Sequence, residues 1–390
     1  MSIRLPEEVV QLKQTIRRFV QDELQPAANE IDRTNEIPQS IIDKARELGL
    51  FGLSIPEEYG GVGESELASS VALEELSHGP GGATFYIAPS APAAAIRLAG
   101  NEEQRRRYLP RLASGEAFAA FCLSEAGAGS DAGGIRTRAV RTARGWSITG
   151  TKLWVSRAAN ASVFLVSAVT DPDKGSNEGI TVFLLDRRPG LTTGKPDWQL
   201  GGRGSGSAEV VFDGCEVGED EVLGEVGKGF AALKFILGRA RLWAAARATG
   251  VIGRALELSV AYAEERVQFG QKIGEFQAIK DKIANMAADL YAARLQVYQA
   301  AILFDQGIDA AQEAAYAKLF ASEAGFRAAD AAVQIHGAMG VAQGFPVERL
   351  YRDVRSYRIL DGTSEIQRLM IASRVQRRGV GETIAPGGIV

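Results

Sequence analysis

The stretch Tyr351-Arg-Asp-Val-Arg-Ser-Tyr-Arg-Ile-Leu-Asp361-Gly-Thr-Ser-Glu-Ile-Gln-Arg-Leu-Met-Ile-Ala-Ser-Arg374 contains a turn followed by a helix start. Asp361-Gly362 signals a tight turn, because Gly takes positive φ without steric cost and Asp bonds its own backbone. Ser364 and Gln367 match the S-x-x-Q capping box, and Ile366, Leu369, Met370 and Ile371 follow at helical spacing. The pattern predicts a carboxylate presented just before a helix whose free N–H groups attract anions. Asp361 has two readings, a turn residue or a base presented from a turn. On the dipeptide alone the turn is the simpler one.

The same helical period extends back to about residue 229. Phe276, Ile279, Ile283, Met286, Leu290, Val297 and Phe304 form the seam of a bundle. The spacing predicts four helices, at roughly 230–267, 276–305, 310–335 and 346–378, and a loose tail over 379–390. Residues 120–228 change character. Segments 136–140 and 146–149 alternate and are joined by 141–145 as a hairpin; 162–169, 180–185 and 209–212 are further short strands. Turn-rich segments at 171–178 and 201–207 separate them, which predicts a small antiparallel barrel or sandwich. The first 119 residues read as helices at 6–30 (weakened at Pro26), 40–48, 66–77, 88–99 and 102–114. The expected fold is mainly α with a central β domain: a helical unit over 1–119, a β unit over 120–228 and a four-helix bundle over 229–390.

Composition narrows the function. A net charge of −4 argues against a general nucleic-acid binder and offers no polybasic membrane signal. Two cysteines, Cys122 and Cys215, fit neither a disulfide framework nor a zinc site, and two histidines leave little material for a His-based metal site or a Ser-His-Asp triad. No metal is expected. The start carries no signal-peptide apolar region, and no run of eighteen apolar residues predicts a membrane span. A cytoplasmic location is expected, or the mitochondrial matrix if a presequence has been removed.

Several further segments are weak alone. Ile55-Pro-Glu-Glu-Tyr-Gly-Gly-Val-Gly63 and Ser124-Glu-Ala-Gly-Ala-Gly-Ser-Asp131 read as plain Gly-rich loops. Trp154, in Lys152-Leu-Trp-Val-Ser156, reads as core. Arg266-Val-Gln-Phe-Gly270 reads as a helix end closed by Gly, with Phe276-Gln277 beyond it, and Gln334-Ile-His-Gly-Ala338 as a loop.

Together, in this order, these segments and the Asp361 turn resemble the acyl-CoA dehydrogenases over nearly the whole chain. The match runs through P-E-x-x-G-G-x-G, T-E-P-x-A-G-S-D, K-x-W-I-T/S, R-x-x-F-G with F-Q, Q-x-x-G-G and the C-terminal turn. Here Asp361 stands where the family usually has Glu, Ser124 replaces a Thr, Phe121 an aromatic that is often Tyr, and Ala338 the second Gly. The resemblance implies FAD as cofactor. Phe121, Leu123, Ser124, Gly129 and Ser130 would meet the flavin, Ser130 also reaching the pantetheine arm or a phosphate. Trp154 would pack on the ring and Ser156 bond near N5. Arg266, Phe269 and Gln277 would hold the diphosphate and adenine, Gln334, Gly337 and Ala338 the adenosine part, and Thr363 and Glu365 the cofactor at the last helix. Arg241 and Gly362 would lie near the acyl-CoA. Ala240 occupies the alternative place of the family's base, which leaves Asp361 as the base at either place.

The resemblance further implies α,β-desaturation: Asp361 removes the α-proton of an acyl-CoA while hydride leaves Cβ for flavin N5. Electrons would pass to an electron-transfer flavoprotein, and cofactor sites would be completed by a neighbouring subunit of a homotetramer. An enoyl-CoA reductase, an acyl-CoA oxidase or flavin monooxygenase, and a weakly active flavin-binding partner subunit are the competing readings. Side chains around 83–95 and 237–243 would shape the acyl pocket, with Trp243 either narrowing it or joining the core.

Overall fold

The computed structural model describes residues 4–63, 65–87 and 90–384. The chain opens with α1 (Glu7–Phe19) and α2 (Gln25–Thr34), between which the helix widens into a π-turn over Val20–Leu24. Pro26 falls in the first turn of α2, where its missing N–H costs nothing. The helix therefore survives Pro26 and runs past the expected end at residue 30. Then follow α3 (Gln39–Glu47), α4 (Glu66–Leu76), α5 (Gly81–Ile87), α6 (Ala91–Ala99) and α7 (Glu102–Ala113). The sequence reading missed α5, because its opening glycines signal a loop. It also began α6 too early; Ser90 caps that helix through Ala93 N–H, and the expected start at Ala88 lies outside the described residues.

The middle of the chain folds into one curled seven-stranded sheet with order β1-β4-β2-β3-β7-β6 and β5 on the free edge of β4. The strands are β1 (Ala119–Cys122), β2 (Arg138–Thr142), β3 (Gly145–Val155), β4 (Val163–Val169), β5 (Ile180–Asp186), β6 (Leu191–Thr193) and β7 (Ala208–Gly218). The β2–β3 hairpin forms as expected, with Thr142 opposite Gly145. Most pairings are antiparallel, but β1 runs parallel to β4 and β2 touches β4 in parallel at Arg138–Val169. The short β1 and β6 carry too few residues to show alternation. Segment 171–178, expected as a loop, contains a 3₁₀ turn and most of α8 (Gly175–Gly179).

The last third is a bundle of α9 (Gly229–Glu265), α10 (Gln277–Asp305) and α11 (Ala311–His336), joined by α12 (Pro346–Arg355) and α13 (Ser364–Ile384, broken at Gly379). A two-stranded ribbon, β8 (Val267–Gln268) and β9 (Gln271–Lys272), links α9 to α10. The helix expected over 346–378 is two helices, because the chain leaves helical geometry after Ser356–Arg358 and turns at Asp361. Residues 385–390 of the expected tail lie outside the described set. One apolar core joins α1–α4 to α9–α12, where Ala-rich faces let α9, α10 and α11 approach closely; a second lies between α6, α7, the sheet and the start of α9.

Asp353 docks the parts together. Buried in α12, its carboxylate accepts from Gly81 N–H at 2.9 Å and Gly202 N–H at 2.6 Å, joining α5 and the 201–207 loop to the bundle. A Cβ on Gly82 would lie 1.8 Å from the Arg203 carbonyl oxygen, so that junction has room only for Gly.

Candidate active site

The turn between α12 and α13 holds Asp361 at φ +54 and Gly362 at φ +92. Asp is one of the few residues that visits this left-handed region readily. The helix cap is Thr363, not Ser364: Thr363 Oγ accepts from Ile366 N–H at 3.2 Å, and Ser364 is already helical. Gln367 reaches back, its side-chain amide donating to the Gly362 carbonyl at 2.9 Å and, more weakly, to that of Asp361 at 3.4 Å. Lys318, fully buried on α11, donates to the same Gly362 carbonyl at 2.7 Å. The turn is thus held from two sides. Glu365 is exposed on the first turn of α13.

Asp361 is half-buried. Loss of water pushes its pKa above the ordinary carboxylate value, against the opposing pull of Arg247, Lys318 and Arg241. Burial in turn drives Lys318 down to about 8 and lowers Arg241 and Arg247. Arg241 lies beside the turn, its Nε 3.9 Å from where a Cβ on Gly362 would sit. Arg247 stacks over the Phe85 ring with Cζ 4.6 Å from the centroid. Arg157, at φ +66, donates from Nε to the Phe85 carbonyl at 2.6 Å, so α5 joins the end of β3 to the wall behind Asp361. Arg247, Lys318 and Arg157 were not singled out from the sequence; a cation in an Ala-rich helix or after a strand reads as a solvated face.

The β3 end carries Trp154 and Ser156. The register slips between Lys152 and Val155, so Trp154 bulges out at φ +60 with its side chain 64% exposed, and the core reading of Trp154 is overturned. Ser156 is exposed as well. Segment 121–125 lies directly alongside, with Leu153 N–H donating to the Ser124 carbonyl at 2.9 Å. Buried Lys152 locks the two together through the Leu123 carbonyl at 3.0 Å and Glu125 at 2.8 Å. Burial works to raise Glu125, but its bonds with Lys152, Thr137 and the Arg136 N–H, together with the Lys152 charge, outweigh that and hold the carboxyl below its usual range. Phe121 and Ser124 are half-buried and Leu123 buried; Gly129 and Ser130 are exposed in the following loop.

A second group lies elsewhere. Arg266, Phe269 and Gln277 flank the β8–β9 ribbon, and Gln334, Gly337 and Ala338 end α11; all six are exposed, Phe269 by 94%. A Tyr262–His336 stack at 4.3 Å joins the two sets. From Arg241 to Arg266 is 25 residues of α9, or about 37 Å at 1.5 Å per residue. One chain therefore does not bring this group to Asp361. Trp243 is buried in the core and donates from its indole N–H to Glu66 at 3.0 Å, which decides for its core reading. Among the described residues no helix is long and apolar enough to cross a membrane, and no group of three or more His, Cys, Asp or Glu could hold a metal ion.

Comparison with known proteins covers the same ground. Residues 6–116, 120–215 and 227–376 match the acyl-CoA dehydrogenase N-terminal, middle and C-terminal domains in turn. The chain is 39% identical to an acyl-CoA dehydrogenase of Bacillus subtilis, over 95% of this chain and 98% of that one. It is 40% identical to the human mitochondrial short-chain specific acyl-CoA dehydrogenase, over 96% and 92%. The solved structure of butyryl-CoA dehydrogenase from Megasphaera elsdenii superposes with a TM-score of 0.93 at 34% identity, covering 97% of this chain and 100% of that one.

Proposed function

The chain belongs to the acyl-CoA dehydrogenase family, FAD-dependent oxidoreductases acting on CH–CH bonds, and from that premise we propose that Asp361 is the base that takes the α-proton of an acyl-CoA thioester. FAD, when bound, supplies the acceptor for the hydride leaving Cβ.

The residues present fit that cofactor. An outward indole on a bulge, beside Ser156 and next to the 121–124 segment, makes an apolar platform with hydroxyl and backbone donors at its edge. Trp154, Phe121 and Leu123 would hold the ring, and Ser124 and Ser156 its polar edge. Gly129 and Ser130 lie where the loop leaves that platform and would meet the flavin, Ser130 also reaching the pantetheine arm or a phosphate. Thr363 and Glu365 meet the cofactor from the start of α13. The exposed group at Arg266, Phe269, Gln277, Gln334, Gly337 and Ala338, about 37 Å away along α9, serves the flavin of a neighbouring copy. That division supports the homotetramer. An electron-transfer flavoprotein is the electron acceptor this reading implies.

Asp361 has the attributes of a base. Its carboxyl is partly withdrawn from water, its pKa is raised, and Thr363, Gln367 and Lys318 fix its turn. Its own N–H donates to the thioester carbonyl, where negative charge grows as the proton leaves, and Gly362 lets the thioester approach closely. Arg241 lies on the same side. The observation that carries the reading is the half-buried carboxylate held at φ +54 by that frame. Anaerobic addition of short acyl-CoAs to the FAD-loaded protein is expected to bleach the flavin, and Asp361→Asn to stop bleaching without loss of FAD. Bleaching at the wild-type rate in Asp361→Asn rules the base out.

A further inference from the structure

Three cations converge on the Asp361 turn, and among the described residues Asp361 is the carboxylate that acts on all three. Arg241, Arg247 and Lys318 are each more than nine-tenths buried, and all three act on Asp361. Lys318 is committed to the Gly362 carbonyl and Arg241 lies beside Gly362, so both attend the turn itself. Arg247 stands a step further back, over Phe85, and its Nε has no hydrogen-bond partner among the described residues. Its Nη2 makes a long contact, 3.5 Å, to the Thr84 carbonyl. Arg157 donates to the carbonyl of the same Phe85, and burial first, then the nearby Arg247 charge, lowers its pKa.

Among the described residues, the groups nearest Lys318 and Arg247 do not balance their charge. Glu323, the acid next nearest Lys318, is tied to Arg358 at 3.1 Å and Arg368 at 3.6 Å. Tyr357 faces Arg247, but burial pushes its phenol up to about 12 and keeps it neutral. A buried guanidinium whose Nε has no hydrogen-bond partner among the described residues is costly unless an anion joins it. The base is also opposed by that surplus, since each cation favours the ionised, less basic carboxylate. An anion on Arg247 would relieve both.

We propose that this site takes acyl-CoAs whose short acyl chain ends in a carboxylate, bound by the Arg247 guanidinium behind the Asp361 turn. The inference rests on the dehydrogenase reading above and adds the substrate class. The carboxylate is not consumed; it anchors the chain so that C2 faces Asp361, and bidentate pairing with a planar guanidinium gives it a defined place. Arg157 strengthens the positive field at that end without being asked to bind.

Binding can be measured without turnover. The oxidised holoenzyme has no electrons to give an enoyl-CoA, so 2-enoyl thioesters titrated against flavin absorbance report affinity alone. Glutaconyl-CoA, with a terminal carboxylate, is expected to bind at least about tenfold more tightly than 2-hexenoyl-CoA, the scale of one charge-assisted hydrogen bond. Arg247→Met is expected to remove that preference with FAD still bound, while Arg247→Lys retains part of it, which separates a lost charge from a damaged fold. Equal or tighter binding of 2-hexenoyl-CoA by the wild type, or a preference that survives Arg247→Met, overturns the proposal. Flavin bleaching by hexanoyl-CoA with no carboxylate preference overturns it alone; a carboxylate preference without bleaching by any saturated acyl-CoA overturns the dehydrogenase reading instead.

Discussion

Replacing Asp361 by Glu tests whether this turn is built around the shorter acid. Glu adds one C–C bond, about 1.5 Å, to the reach of the carboxyl. Asp361 sits at φ +54, where Asp is tolerated through local side-chain bonding and most other L-residues pay about 1–2 kcal/mol. Glu therefore costs about 1 kcal/mol in backbone strain. Unfolding entropy for a chain of 390 residues is about 0.8 kcal/mol per kelvin, so the thermal midpoint should fall by about 1 °C. Activity should respond more strongly. Lys318 and Gln367 grip the Gly362 carbonyl, so the turn cannot retreat to absorb the extra methylene. A misplacement on the ångström scale costs about a hundredfold in rate. Anaerobic stopped-flow reduction of the bound FAD by a saturating acyl-CoA reads this directly, with thermal unfolding of the same sample alongside. Reduction in Asp361→Glu as fast as or faster than in wild type, at unchanged stability, refutes the argument, for it would mean that the turn accommodates a longer base.

Two other groups make independent predictions. Lys152→Met leaves Glu125 without its buried partner and should cost about 3 kcal/mol in denaturant unfolding, with loss of FAD on gel filtration; a full complement of flavin at an unchanged midpoint contradicts it. Glu257 pairs with His78 at 3.3 Å; burial acts to raise its pKa, but the His78 hydrogen bond and charge, with Arg254 and Arg17, bring it down to about 2. A depressed carboxyl contributes stability above its unfolded value of 4.5 that is lost as pH falls through about 2. Because the Glu257 side chain is half-exposed, the pair is worth about 1 kcal/mol at neutral pH after solvent screening. Glu257→Gln should show that deficit at pH 7 in denaturant midpoints and converge with wild type toward the acid limb; an equal deficit at every pH contradicts it.

α9, α10 and α11 were legible because the apolar period survives over whole helices, and their ends differ from the expected ones by a few residues. What failed was short or locally contradictory. β1 is four residues long and pairs in parallel with β4, a contact that no neighbouring residue announces. α5 starts with two glycines that local propensity sends to a loop, yet Asp353, far along the chain, caps its first N–H. Ser364 looked like the cap because its box partner Gln367 is correctly spaced. The φ of Gly362 instead lets Thr363 reach Ile366, and Gln367 turns back to the Gly362 carbonyl.

The site divides along the same line. Motif residues on one contiguous element could be assigned together from sequence: Trp154 with Ser156, or Asp361 with Thr363. Their electrostatic environment could not, because it is assembled across elements. Arg241 and Arg247 lie on α9 and Lys318 on α11, and they come together only at the Asp361 turn. Nothing in a linear pattern states that three buried cations share one carboxylate. The length of α9 adds a second constraint. A helix of 37 residues carries its far end about 55 Å from its start at 1.5 Å per residue. The exposed Phe269 and Arg266 at that end are apolar and cationic surface, which the proposed homotetramer would set against a second copy.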